Sequence, residues 1–263
     1  MSGNFNISII GSGNVAWHMA QALEKAGHSV LEVYSRQIEH AYMLQSKLYC
    51  AEAQDHLDFS KSKSSIFLLA ITDDAIPSVV EELVLPRGAI LAHTSGAQPL
   101  KVLERANLMA HGVFYPLYSF SKSGRVNFSE IPFFIEADHI KTEEILVRLA
   151  QSLSKQVMTI NSEQRKLFHL AGVFACNFTN HMLSIAEKIL KENHLDFELM
   201  KPLILGTLHK SLEIGPFNAQ TGPAVRGDLK TLDSHVDKLK EEEELLRIYK
   251  IISDHIIQMH QYK

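Results

Sequence analysis

Asn6-Ile7-Ser8-Ile9-Ile10 runs directly into Gly11-Ser12-Gly13-Asn14-Val15-Ala16, and this junction decides the fold. A short apolar, β-branched run ending on glycine predicts a buried strand that leaves through a tight turn. The spacing is G-x-G-x-x-A. Gly11 permits the turn, Gly13 has no Cβ and lets a pyrophosphate approach the backbone, and Ala16 is small enough for a helix to pack on the strand. That helix is expected over residues 14–26, with Val15, Met19, Ala22 and Leu23 on one face and Gly27 as its stop. Its first N–H groups and its positive dipole end would face the phosphates. Gly11, Ser12, Gly13, Asn14, Val15 and Ala16 are therefore the expected cradle of a dinucleotide. The competing reading is a glycine turn in an α/β fold that holds no nucleotide.

A second strand, Ser29-Val30-Leu31-Glu32-Val33-Tyr34, follows at βαβ distance and ends in Ser35-Arg36. An NAD site usually carries Asp or Glu here, bonded to the ribose 2′-hydroxyl. A hydroxyl and a guanidinium suit a 2′-phosphate instead. Glu32 comes too early, inside the strand. NADP is thus expected over NAD, with Ser35 and Arg36 reading the 2′-position. The other reading leaves Arg36 in solvent at the start of the next helix.

The alternation continues outward from this unit. A helix is expected over residues 38–48, a strand at Ser65-Ile66-Phe67-Leu68-Leu69-Ala70-Ile71, and a helix over residues 74–83 capped by Asp73 or Asp74. Ala89-Ile90-Leu91-Ala92-His93 is a further strand, followed by strands near 108–114, at 132–136 and at 156–160, with a helix over 141–154 before the last. Such alternation implies right-handed crossovers and a mostly parallel sheet. After Ile160 no strand pattern remains. Residues 163–192, 197–213, 229–239 and 242–259 read as helices. The expected fold class is α/β: an N-terminal Rossmann domain over 1–160, then an all-α domain over 161–263 for substrate binding and dimerisation.

Composition narrows the function classes. The chain has 263 residues, 46% of them hydrophobic, enough for one large or two modest cores, and its formal charge is −4. No basic stretch marks a nucleic-acid surface, and no apolar run is long enough for a membrane span. The N-terminus enters a strand directly, unlike a secretory signal. Cys50 and Cys176 have no metal-ligand spacing, so no metal site is expected and the thiols fit a reducing cytoplasm. A homodimer formed through the helical domain is expected, a two-fold pair being the commonest closed oligomer.

In an open α/β sheet the ligand lies outside the carboxyl ends of the strands. Ile71, Thr72 and Asp73, after the third apolar strand, should line the cofactor's ribose. His93-Thr94-Ser95-Gly96, after the next, should lie near the nicotinamide, with Thr94 on the cofactor and Ser95 on the substrate. Alternatively, Thr94 and Ser95 cap the following helix. The long helix carries a polar stripe of Lys166, His169, Asn177 and Asn180 on one broad face. Hydride transfer to a carbonyl or imine needs a proton donor, and Lys166 and His169 are the candidates. The plainer reading leaves Lys166 in solvent and His169 as a satisfied core histidine. In the loop Thr221-Gly222-Pro223-Ala224-Val225-Arg226-Gly227-Asp228, Arg226 offers a fork for a carboxylate or phosphate, or pairs with Asp228, itself a cap for the next helix.

Taken together, these segments resemble a family of Rossmann-like proteins with a C-terminal helical domain of unknown function, distant relatives of pyrroline-5-carboxylate reductase and of F420-dependent NADP oxidoreductases. The resemblance covers nearly the whole chain. It rests on the glycine turn, Thr72-Asp73-Asp74-Ala75-Ile76, His93-Thr94-Ser95-Gly96-Ala97, Tyr115-Pro116-Leu117-Tyr118-Ser119-Phe120, Arg165-Lys166 with Asn177, and the 221–228 loop. Where many members carry His-Pro-Leu, this chain has Tyr115-Pro116-Leu117. Related β-hydroxyacid dehydrogenases use a Lys with an Asn one turn later, where this chain has Leu170. The resemblance implies NADP binding and reductase chemistry and names no substrate. The expected function is NADP-dependent reduction of a small carbonyl or imine in an interdomain cleft by Ser95, Lys166, His169, Asn177 and Arg226. The alternative is a non-catalytic NADP-binding sensor or assembly module.

Overall fold

The computed structural model describes residues 4–106 and 110–260. The chain divides into two compact units, Met1–His181 and Met182–Lys263.

The first unit is built on an eight-stranded sheet. Its strands are β1 (Asn6–Ile10), β2 (Ser29–Tyr34), β3 (Glu52–Gln54), β4 (Ile66–Leu69), β5 (Ile90–His93), β6 (His111–Pro116), β7 (Phe133–Ala137) and β8 (Val157–Thr159). They lie in the order β3-β2-β1-β4-β5-β6-β7-β8. Every pair is parallel except β6 with β7. The helices of this unit are α1 (Asn14–Lys25), α2 (Ile38–Gln45), α3 (Ile76–Glu82), α4 (Ile140–Leu153) and α5 (Ser162–Gly172).

Alternation along each strand separates two cores. Ile7 and Ile9 of β1, Ile66 and Leu68 of β4, and Ile90 and Ala92 of β5 face one core. There they meet Ala16, Met19, Ala20 and Leu23 of α1 and Leu146, Leu149 and Leu153 of α4. Ile10, Phe67, Leu69 and Leu91 face the other, against Ile76 and Val80 of α3 and Leu103. Burial on both faces explains why the central strands read as continuous apolar runs. The chain order reverses direction between β1 and β4, the switch point at which such sheets open a crevice. Ile10 is level with Tyr34 and Leu69, and Leu69 with His93. The residues that follow these four strands therefore share one carboxyl edge.

Several elements differ from the sequence reading. The expected 108–114 strand is found at His111–Pro116, and residues 107–109 lie outside the described ones. The helix expected over 74–83 starts as a tight turn, Asp73–Ala75, and α3 then begins at Ile76 with Pro77 in its first turn. No side chain caps either segment, so Asp73 and Asp74 do not take the expected cap role. The long helix is not one regular α-helix. A π-helical segment, Val173–Phe178, separates α5 from α6 (Thr179–Glu192). Its wider turn rotates the residues after it relative to those before it.

The second unit continues α6 and adds α7 (Lys201–Ile214), α8 (Pro216–Ala219), α9 (Pro223–Arg226), α10 (Leu229–Lys238) and α11 (Glu243–His260). Gly222 and Gly227 take positive φ on either side of α9, and Asp228 caps α10 by accepting from the Thr231 N–H. Residues of α6, α9, α10 and α11 line an apolar pocket of about 360 Å³, and His235 and Tyr249 of its lining share a hydrogen bond of 2.8 Å. Among the described residues no helix is long and apolar enough to cross a membrane.

Candidate active site

The glycine turn leaves β1 with the Gly11 N–H donating to the Tyr34 carbonyl at 2.9 Å. Gly11 has φ +129°, and a Cβ there would run into the Ala70 backbone carbonyl and lie 3.1 Å from the Ile71 side chain. Its glycine is thus needed for close packing of the turn against the end of β4. Gly13 differs: a Cβ added there meets nothing within 4 Å, and both Gly13 and Asn14 are exposed. Gly13 is the N-cap of α1. No side chain caps that end, and its first turn carries no acid. An uncapped helix start with open space before it and no competing carboxylate fits a phosphate. Ala16 is fully buried under α1. Ser12 Oγ donates to Ser35 Oγ at 3.0 Å and ties the turn to the end of β2.

Beyond Ser35, which is buried, Arg36 is exposed and makes no ion pair among the described residues. Glu32 is engaged within the sheet unit, accepting from the hydroxyls of Ser8 and Ser64. The end of β2 therefore presents a cation where a 2′-phosphate would lie.

The next two strand ends build the rest of the edge. Ile71 packs at the glycine turn, Thr72 opens the short turn after β4, and the Asp73 carbonyl accepts from Gln98 Nε2 at 3.3 Å. Thr94 donates both its N–H and its hydroxyl to the Leu69 carbonyl at 3.0 Å, and it is buried. Ser95 Oγ accepts from the N–H groups of Ala97 and Gln98 at 3.1 and 2.9 Å. Both hydroxyls shape the turn, but neither caps a helix, because the next helical segment begins only at Leu100. His93 is fully buried. Its Nδ1 accepts from the Ser95 N–H at 3.1 Å, and its Nε2 has no hydrogen-bond partner. Burial and the nearby Arg165 charge push its pKa down to about 3, against an opposing contribution from the Pro99 backbone.

Helix α5 starts at a capping box between Asn161 and Gln164. One turn in, Arg165 is wholly buried. Its guanidinium pairs with Glu136 of β7 and donates to the Gln98 carbonyl. Glu136 also accepts from the Ser162 hydroxyl at 2.8 Å. Four residues on, His169 Nδ1 lies 3.4 Å from the Tyr115 hydroxyl at the end of β6. Arg165 and His169, at i and i+4, thus share the inward face of α5. Lys166 is rotated off that face, with its side chain 41% exposed and paired with Glu163 at 2.8 Å. Asn177 is exposed within the π-helical segment and Asn180 lies in the first turn of α6. The expected single-face stripe is therefore broken by the π turn. Arg226 is exposed at the end of α9 in the second unit.

The structure brings Gly96, with the adjoining Ser95, together with Tyr115 and His169 at the carboxyl edge. Arg165, Glu136 and Tyr115 were not singled out for this site from sequence. The available signal was the i, i+4 spacing of Arg165 and His169 on a helix that packs on a sheet. Cys50 and Cys176 are exposed and unpaired, and no metal-binding cluster of His, Cys, Asp or Glu occurs among the described residues.

Comparison with known proteins matches residues 2–117 to a Rossmann-like domain and residues 131–256 to a domain of unknown function (DUF2520). A solved Bacteroides fragilis protein, described as a "putative NADP oxidoreductase", is 37% identical. The match covers 98% of this chain and all of that one, with a TM-score of 0.90. A reductive aminase from Aspergillus terreus in complex with NADPH is 12% identical over 97% of this chain and 94% of its own, with a TM-score of 0.71. The 1-pyrroline-5-carboxylate reductase of Streptococcus pyogenes is 14% identical over 99% of both chains, with a TM-score of 0.63. At such identities the last two likenesses show the fold alone. No curated protein matches the chain.

Proposed function

The chain belongs to the family that joins a Rossmann-like domain to the domain of unknown function DUF2520, and on that premise we propose that it is an NADP-dependent oxidoreductase reducing a small carbonyl or imine compound. The observation that carries this reading is the carboxyl edge of the sheet. Open space at Gly13 lies before an uncapped helix start, and Arg36 stands at the neighbouring strand end with Glu32 already engaged. The first suits a pyrophosphate and the second a 2′-phosphate. The description of the Bacteroides fragilis relative supports the same class. Residues 1–160 would hold the cofactor and residues 161–263 would contribute to substrate binding and pairing.

When bound, NADPH supplies a hydride. The chain's own residues would bind it through the backbone of residues 11–16, read its 2′-phosphate with Ser35 and Arg36, and line its ribose with Ile71, Thr72 and Asp73. His169 is the candidate of the long helix that stands at this edge; Ser95 shapes the turn beside it. The test is NADPH and NADH titration, followed by NADPH oxidation with a panel of aldehydes, ketones, 2-oxo acids and cyclic imines. Preferential NADPH binding with oxidation by one panel class supports the reading. Tight binding without oxidation by any member makes the chain a sensor or assembly module, and binding of neither cofactor removes the reading.

Pairing of two copies through the helical part belongs to the same proposal. Leu199, Leu203, Leu205, Leu208 and Leu212 are all exposed on α7 and the turn before it, Leu212 by 87%. Leu205, Leu208 and Leu212 share one face of α7 at helical spacing, and an exposed apolar face of this kind calls for a partner. Light scattering on Leu208→Lys should show a smaller species than the unaltered chain, and equal masses would remove the pairing. A cytoplasmic location fits the two exposed, unbridged thiols.

A further inference from the structure

We propose that Tyr115 is the proton donor of this reduction and that His169 holds its phenol in position; the inference rests on the reductase reading above. The two side chains come from different elements, Tyr115 from β6 and His169 from α5. The phenol oxygen and His169 Nδ1 are 3.4 Å apart, and the rings meet edge to face with centroids separated by 6.3 Å. They converge over Gly96. A Cβ there would lie 2.6 Å from His169 Nδ1 and 2.9 Å from Tyr115 Cζ. Gly96 is not among the positive-φ glycines, so its backbone conformation does not require glycine. The missing side chain serves the approach of the two rings.

The pair stands where the reacting atoms should come. Gly96 belongs to the turn after β5, whose end is level with that of β4, and Tyr115 lies two residues past Val113, the register partner of His93. Three charged or titratable groups bear on the phenol: His169 and Arg165 from α5 and Asp73 from the turn after β4. Burial and Asp73 raise the phenol pKa, while Arg165 opposes them. A phenol so placed stays protonated at neutral pH and has a proton to give. The influence of Asp73 also puts the phenol within electrostatic reach of the turn expected to line the cofactor.

The step balances with NADPH as the two-electron donor. As hydride adds to the substrate carbon, the C=O or C=N electron pair moves onto oxygen or nitrogen. That atom takes the phenol proton of Tyr115 and becomes an alcohol or amine. Nδ1–H of His169 donates to the phenolate, which regains its proton from water. Lys166, paired with Glu163 at the surface, has no part in it.

The test places 3-fluorotyrosine at position 115 in the full chain and follows its ionisation by fluorine NMR with NADP⁺ or NADPH bound. Both cofactors carry the same phosphates, so the comparison isolates the positive charge of the oxidised nicotinamide. The label should titrate lower with NADP⁺ by about one pH unit or more. Identical titrations overturn the proposal while leaving NADP binding intact, and failure to bind either cofactor removes the parent reading instead. In parallel, Tyr115→Phe should slow reduction of the panel substrate roughly 100-fold or more at unchanged NADPH affinity. His169→Gln, which can still donate to the phenol, should retain more activity than His169→Leu. An undiminished rate in Tyr115→Phe overturns the donor role.

Discussion

Arg165 and Glu136 form an ion pair in which the guanidinium is wholly buried and the carboxylate side chain only 17% exposed. The pair ties α5 to β7, and the Gln98 carbonyl draws the loop after β5 into the same network. Removing one partner strands the other charge in a low dielectric, a loss of about 3–5 kcal/mol. Arg165→Met and Glu136→Gln should each destabilise the first unit by that order in urea unfolding, and the double variant should lose less than their sum. Single losses near zero would mean that water reaches the pair.

Gly11 and Gly13 should respond in opposite ways. A side chain at Gly11 meets the Ala70 carbonyl and needs a positive φ, so Gly11→Ala should cost stability, about 1–3 kcal/mol for the backbone alone. A side chain at Gly13 meets open space. Gly13→Val should cost only the N-cap preference of α1, about 1 kcal/mol, and yet abolish NADPH binding, because the valine occupies the pyrophosphate position. Intact NADPH affinity in Gly13→Val would remove the cradle assignment.

The same two glycines show how far sequence could reach. β1, its turn, α1, β2, β4 and β5 were legible because burial on both faces writes continuous apolar runs bounded by turn residues. The Glu52–Gln54 strand was not: it is three residues long, lies at the sheet edge and carries two polar residues. The π-helical segment leaves no periodicity of its own, so the stripe through Asn177 and Asn180 was projected at the wrong angle. Lys166 and His169 stand together as proton-donor candidates in the sequence, and only the packing of α5 separates the exposed Lys166 from the inward His169. Which of two adjacent cations enters the core depends on Glu136, distant in sequence, and helical spacing from His169 selects Arg165. Tyr115 drew attention only as a departure from His-Pro-Leu, since its convergence with His169 exists only once β6 and α5 are packed.

Arg36 should discriminate between cofactors. Only NADPH carries the 2′-phosphate, and a hydrogen bond to a charged group contributes about 1.5–3 kcal/mol. Arg36→Ala should therefore lower the NADPH preference over NADH by about tenfold or more, measured as the ratio of the two dissociation constants. The exposed side chain leaves folding unaffected. Equal weakening of both cofactors would show that Arg36 does not read the 2′-position.

His93 sets a pH dependence that can be isolated from that of the carboxylates. Its ordinary pKa of 6.5 falls to about 3 in the fold, first through burial and then through the Arg165 charge. The folded state therefore holds the neutral ring where the unfolded state binds a proton. Stability linked to this group is complete above about pH 6.5. It declines as pH falls below that value, by up to about 1.4 kcal/mol per pH unit, and levels off near pH 3. His93→Asn keeps an acceptor for the Ser95 N–H but has nothing to protonate in this range. The unfolding free energy of the unaltered chain minus that of His93→Asn should shrink steadily from pH 6.5 downward, while carboxylate titrations cancel in the difference. Guanidinium unfolding of both proteins at pH 7.5, 6, 5 and 4 measures it. A constant gap across that series would mean that His93 takes up its proton in the folded state at an ordinary pH, and that neither its burial nor the Arg165 charge holds the ring neutral.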